Sequence, residues 1–128
     1  MNIYKNINNT FFIFILSHLI IWTLVPSLTN NNLPLDTIEA LAWGSKLDWG
    51  FNKHPPMSAF FPEIFYQIFG AQDWAYYLLS QIFVLVAFYY VFKFSEEILK
   101  DSKLALISTF LLSSIYFYNF TTPEFNVN

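Results

Sequence analysis

The chain has 128 residues, of which 55% are hydrophobic, 22% aromatic and only 12% charged. A small soluble domain carries about a quarter of its residues as charges, so this balance, with a mean hydropathy of +0.42, places the chain among membrane proteins and excludes disorder. Zero Cys excludes a disulfide framework, a thiol nucleophile and a thiolate metal site, and a net charge of −3 offers no basic footprint for nucleic acid.

Phe11 to Leu28 carries no formal charge and reads as a first membrane span. At ~1.5 Å per residue it just crosses a hydrocarbon core of ~30 Å. Lys5 ahead of it also suits a cleaved signal peptide, but the stretch is long for one. Val25-Pro26-Ser27-Leu28 offers no small-x-small cleavage site, so an uncleaved anchor is expected. His18, inside the span, must face protein or water; it is either a functional group or the hydrogen-bond partner of a neighbouring helix, and Gln81 has the same two readings.

Residues 29–73 form a loop too long and too patterned for a linker. After the polar lead-in Asn30-Asn31-Asn32-Leu33-Pro34, a helix is expected from Asp36 to about Leu47, with Ile38, Leu41, Ala42 and Leu47 near helical spacing. Asp48-Trp49-Gly50 stops it. Pro55-Pro56 opens a second helix, since proline suits the first helical position, and Met57, Phe60, Phe61, Ile64, Phe65, Ile68 and Phe69 run along it as a stripe to Gly70. Two amphipathic helices between spans are expected to lie on the membrane surface and roof the spans.

Trp74 to Phe92 is the second expected span, with Trp74, Tyr76, Tyr77 at one end and Tyr89, Tyr90 at the other, as two interfaces select. Leu104 to Phe120 is the third. Lys93 to Lys103, between them, holds three of the six Lys. Lysines in short loops mark the cytoplasmic side, and Lys5 precedes the first span. The expected topology therefore puts the N-terminus and 93–103 inside, and 29–73 and the stretch from Thr121 outside. The fold class is all-α: three spans, two surface helices, one transmembrane unit over 1–128.

Few residues can carry chemistry. Asp36 and Glu39 lie three apart, on one helix face, and could both point into a site; Asp-x-x-Glu is equally a capping box, and a carboxylate used as a cap is a poor base. Lys53-His54 sit before a helix N-terminus stiffened by Pro55-Pro56, where ammonium, imidazole and helix dipole together favour phosphate, or they form a solvated turn. Glu124 and Asn126 follow the third span on the same side and are further candidates. There is no Gly-rich phosphate loop, no Gly-x-Ser-x-Gly, no His pair at zinc spacing and no Arg.

Taken in order, Leu35-Asp36-Thr37-Ile38-Glu39-Ala40-Leu41-Ala42-Trp43-Gly44, then Trp49-Gly50-Phe51-Asn52-Lys53-His54-Pro55-Pro56-Met57, resemble the N-terminal part of family 39 glycosyltransferases. These are multi-span GT-C enzymes related to bacterial aminoarabinose transferases and protein O-mannosyltransferases. Tyr118-Asn119-Phe120 and Phe125-Asn126-Val127-Asn128 extend the likeness, and Lys-His-Pro-Pro downstream of Asp-x-x-Glu is its most specific element. The resemblance implies transfer of a sugar, with inversion, from a polyprenyl-phosphate donor to a lipid, glycan or protein acceptor at the outer membrane face. It implies Asp36 as base, and Lys53 with His54 as the group that steadies the leaving phosphate. Close relatives carry adjacent Asp-Glu, whereas Thr37 follows Asp36 here, which leaves Glu39 as the second acid or without catalytic part. The cofactor stays open: acidic loop residues suit Mg²⁺ or Mn²⁺, yet two carboxylates are no ligand set.

With no Cys and no organelle signal, the resemblance implies a bacterial inner membrane. Family members have many more spans, so the chain is expected to be an N-terminal segment without turnover of its own. The alternative is a small non-enzymatic membrane protein or inactive fragment acting as an assembly partner. A transporter half is disfavoured, since the spans lack paired charges.

Overall fold

The computed structural model describes residues 3–51 and 55–125. Among them every regular element is helical: α1 (Ile3–Thr29), α2 (Leu35–Gly44), α3 (Met57–Phe69), α4 (Asp73–Leu99), α5 (Ser102–Ser113) and a 3-10 turn (Tyr116–Tyr118). Two helices are long and apolar enough to cross a membrane, over Asn6–Thr29 and Asp73–Leu99.

Helix α1 presents Phe11, Phe14, His18 and Trp22 at helical spacing, and this stripe sets the packing. Phe11 stacks on Phe92 with ring centroids 4.3 Å apart, and His18 meets the edge of Phe88 at 5.0 Å. Farther along, Asn30 Nδ2 donates to the Tyr77 hydroxyl at 3.1 Å. Rising positions on α1 thus meet falling positions on α4, so the two run antiparallel. Helix α5 returns alongside α1, with Phe110 edge-on to Phe14 at 4.8 Å and Phe120 edge-on to Trp22 at 5.3 Å. Phe11, Phe92 and Ala105 make the buried core of this three-helix array, bordered by Ile7, Ile15 and Leu106. Offset and edge-on rings add about 0.5–1.5 kcal/mol per pair beyond their buried area.

Boundaries moved for local reasons. The second span was expected to end at Phe92, with a charged loop to Lys103; instead α4 continues to Leu99. Lys93, Glu96, Glu97 and Lys100 are good helix formers, and Lys93 pairs with Glu96 at 3.0 Å and Lys100 with Glu97. The connection shrinks to Lys100, in the left-handed region at φ 52, and Asp101, whose carboxylate accepts from the Lys103 N–H at 2.7 Å and caps α5.

The third expected span is shorter than predicted. Helix α5 has 12 residues, about 18 Å at 1.5 Å per residue, well below a ~30 Å core. The hydroxyls of Ser113 and Ser114 bond back to the carbonyls of Phe110 and Leu111, and Asn119 Nδ2 donates to the Ser113 carbonyl. Such local bonds offer the backbone an alternative to the helical ladder.

Helices α2 and α3 pack on each other at the end of the array where α1 finishes and α4 begins. Gly44 permits this: a Cβ there would stand 2.6 Å from the Ala59 carbonyl oxygen and 2.9 Å from Glu63 Cβ. Helix α3 does not bury its apolar stripe as one face. It buries Ser58, Ala59, Pro62 and Glu63, while Met57, Ile64 and Ile68 are exposed and Phe61 and Phe69 meet Phe83 and Trp74 of α4 edge-on, each at 5.1 Å. Ser58 and Ala59 are buried where α2 approaches closely, Phe61 and Phe69 pack on α4, and Met57, Ile64 and Ile68 are left on the outer side.

Candidate functional site

The site predicted from sequence draws on three stretches: α2, the loop before α3, and the segment after the 3-10 turn. Helix α2 starts after Pro34, whose extended backbone (φ −56°, ψ 148°) holds the N-cap position without a side-chain cap. Asp36 is therefore the second helical residue, and the capping-box arrangement is not formed. Its carboxylate is left for another task.

The cap comes from elsewhere. Glu124 Oε1 accepts from the backbone N–H of Asp36 at 3.2 Å, placing a negative charge on one of the unpaired donors at the positive end of the helix. One residue on, the Thr37 hydroxyl donates to the Phe125 carbonyl at 3.4 Å, and Thr37 is 1% exposed. The same terminal segment is gripped from α4: Ser80 Oγ donates to the Thr122 carbonyl, and Gln81 Nε2 donates to that carbonyl and to Thr122 Oγ1, both at 3.2 Å. Ser80 and Gln81 are the polar interruption of the second span, and their task is to hold residues 122–125 against the start of α2. His18 lies within interaction range of Gln81, with its Nε2 and Gln81 Oε1 buried and outside hydrogen-bond geometry.

Glu39, one turn beyond Asp36, lines a cavity of about 650 Å³ with Trp43, Lys46, Asp48 and Phe51. Trp43 and Phe51 stack nearly parallel, centroids 5.5 Å apart and planes at 13°, forming an aromatic wall. This volume falls within the roughly 300–1,000 Å³ of small-molecule sites. Two carboxylates, an exposed ammonium and a flat apolar wall can take a polyhydroxylated ring. Lys46 was not singled out by sequence reading; its place seven residues, about two helical turns, after Glu39 was the available signal.

Lys53, His54 and Asn126 lie outside the described residues. The structure thus brings Asp36 and Glu124 into contact and puts Glu39 in a cavity whose wall, Phe51, stands two residues before Lys53 in the chain. Sequence reading also passed over Glu63, the one charged residue in the thirteen of α3 (13 residues). It is only 9% exposed. Among the described residues no group of three or more His, Asp or Glu side chains is placed to hold a metal ion.

The sequence family described as dolichyl-phosphate-mannose-protein mannosyltransferase matches residues 53–128. The matched stretch opens on Lys53-His54-Pro55-Pro56 and includes Glu124 and Asn126, while Asp36 and Glu39 precede it. No curated protein and no solved structure matches the chain.

Proposed function

The chain belongs to the dolichyl-phosphate-mannose-protein mannosyltransferase family, membrane glycosyltransferases of the GT-C type, and from that premise we propose that it carries the first catalytic loop of an inverting sugar transfer. The donor is a polyprenyl-phosphate-linked sugar and the acceptor a hydroxyl presented at the outer, periplasmic face of a bacterial inner membrane. The reading carries over the family 39 likeness of the Lys-His-Pro-Pro and Phe-Asn-x-Asn stretches.

Asp36 takes the proton of the acceptor hydroxyl as its oxygen attacks the anomeric carbon. The bond from that carbon to the phosphate oxygen breaks on the opposite side, and the lipid phosphate leaves with the electron pair. Lys53 and His54, ahead of the α3 N-terminus, balance the charge that develops there. Glu39 is the second acid of the loop, and its aromatic-walled cavity receives the transferred sugar. Glu124 acts through Asp36 as a positioning residue, and Asn126 completes the same segment.

The observation that supports this assembly most directly is the Asp36–Glu124 contact, 88 positions apart in the chain. It joins the two outer segments that the resemblance marks as functional, and it removes the capping role that competed for Asp36. The test is transfer from a polyprenyl-phosphate sugar by membranes carrying the active enzyme: Asp36→Asn lowers the rate by about 100-fold or more with insertion unchanged. Wild-type turnover in that variant removes Asp36 as the base.

A further inference from the structure

A second cavity, of about 290 Å³, lies where α2, α3 and the start of α4 meet, apart from the one lined by Glu39. Leu33, Leu41 and the buried ring of Tyr76 give it apolar walls, Glu63 lies on its inner side, and Tyr66 and Asp73 stand exposed at its rim. Gln67 Nε2 donates to Glu63 Oε1 at 2.6 Å. One neutral amide leaves most of the roughly four acceptor positions of a carboxylate unused, and a buried carboxylate with no cation beside it among the described residues gains from any ligand that brings donors.

The lining selects the ligand. Among the described residues it contains two carboxylates and neither Lys nor His, so an anionic headgroup is repelled. Its size is at the small end of ligand sites, about 300 Å³, which fits one sugar ring and not a lipid chain. Neutral hydroxyls donate well to carboxylates, and the C–H face of a pyranose packs on tyrosine and leucine. We infer that this cavity binds a neutral sugar ring of the acceptor, with Glu63 and Asp73 taking its hydroxyls and Tyr66 and Tyr76 its apolar face. The donor ring is excluded because its phosphate is bonded directly to the anomeric carbon and would bring that charge up to the carboxylates.

The assignment to the acceptor rests on the sugar-transfer reading, but binding is measured without turnover, so each can fail alone. Saturation-transfer NMR on the detergent-solubilised protein with a panel of methyl hexopyranosides is expected to show at least one ligand. Glu63→Gln and Tyr66→Ala should each weaken it about tenfold or more, and Glu97→Gln, exposed at the opposite end of α4 from Asp73, should leave it unchanged. Tyr66 is on the exposed rim, so its variant tests the site even if Glu63→Gln fails to fold. Absence of binding by every methyl hexopyranoside overturns the proposal, as does binding that survives both substitutions, or Glu63-dependent binding of methylammonium in place of any sugar.

Discussion

The backbone N–H of Asp36 donates to Glu124 Oε1 at 3.2 Å, so an acid from the far end of the chain holds the start of the helix that carries Asp36. The contact does for α2 what a local N-cap would do, while leaving the Asp36 carboxylate uncommitted. Glu124→Gln keeps an acceptor oxygen and should keep the helix start. Glu124→Ala removes it, at a cost of about 0.5–2 kcal/mol typical of a lost cap. Hydrogen exchange at the amides of 36–38 reads the difference: faster exchange in the alanine variant alone is expected, and equal protection in both would mean the contact does not hold the helix.

Lys53→Ala should act on the donor. If its ammonium meets the lipid phosphate, KM for the polyprenyl-phosphate sugar rises about tenfold or more, because a charge-assisted contact is among the stronger ones. An unchanged response to donor concentration would make Lys53 a surface residue of the loop.

Gly44→Ala tests whether the α2–α3 contact supports the site. The added methyl would meet the Ala59 carbonyl at 2.6 Å, and overpacking of this kind costs typically 1–3 kcal/mol. Thermal unfolding in detergent should drop for Gly44→Ala and stay unchanged for Gly50→Ala, where nothing among the described residues lies within 4 Å. Equal melting of the two variants would show that the helices can separate freely.

Topology is open to labelling, since the chain has no native thiol. A cysteine at Asn52 should react with a membrane-impermeant maleimide from the outer side only, and one at Asp101 from the cytoplasmic side only. The reverse pattern would falsify the outward placement of the loop and, with it, the donor and acceptor side of the proposed reaction.

The sequence by itself determined the helical class, two of its three expected spans as long apolar helices, the presence of two shorter helices between them and the residues on which the family likeness rests. These follow from composition, from 3.6-residue periodicity and from Pro and Gly at helix ends, all of which act over a few neighbours. It misplaced what depends on competition with distant partners. The Asp36-x-x-Glu39 spacing reads as a capping box until Glu124 takes the cap, and the uncharged run to Phe120 reads as a span although α5 ends at Ser113, where the side chains of Ser113, Ser114 and Asn119 bond to the last carbonyls. Ser80 and Gln81 appear in the sequence as blemishes in a span; only the tertiary structure gives them residue 122 to hold. Glu63 is hidden in an aromatic stripe because a hydrophobic pattern records how often apolar residues recur. The close approach of α2 to Ala59 and Glu63 of α3 depends on Gly44, whose missing side chain leaves room that only the tertiary structure requires.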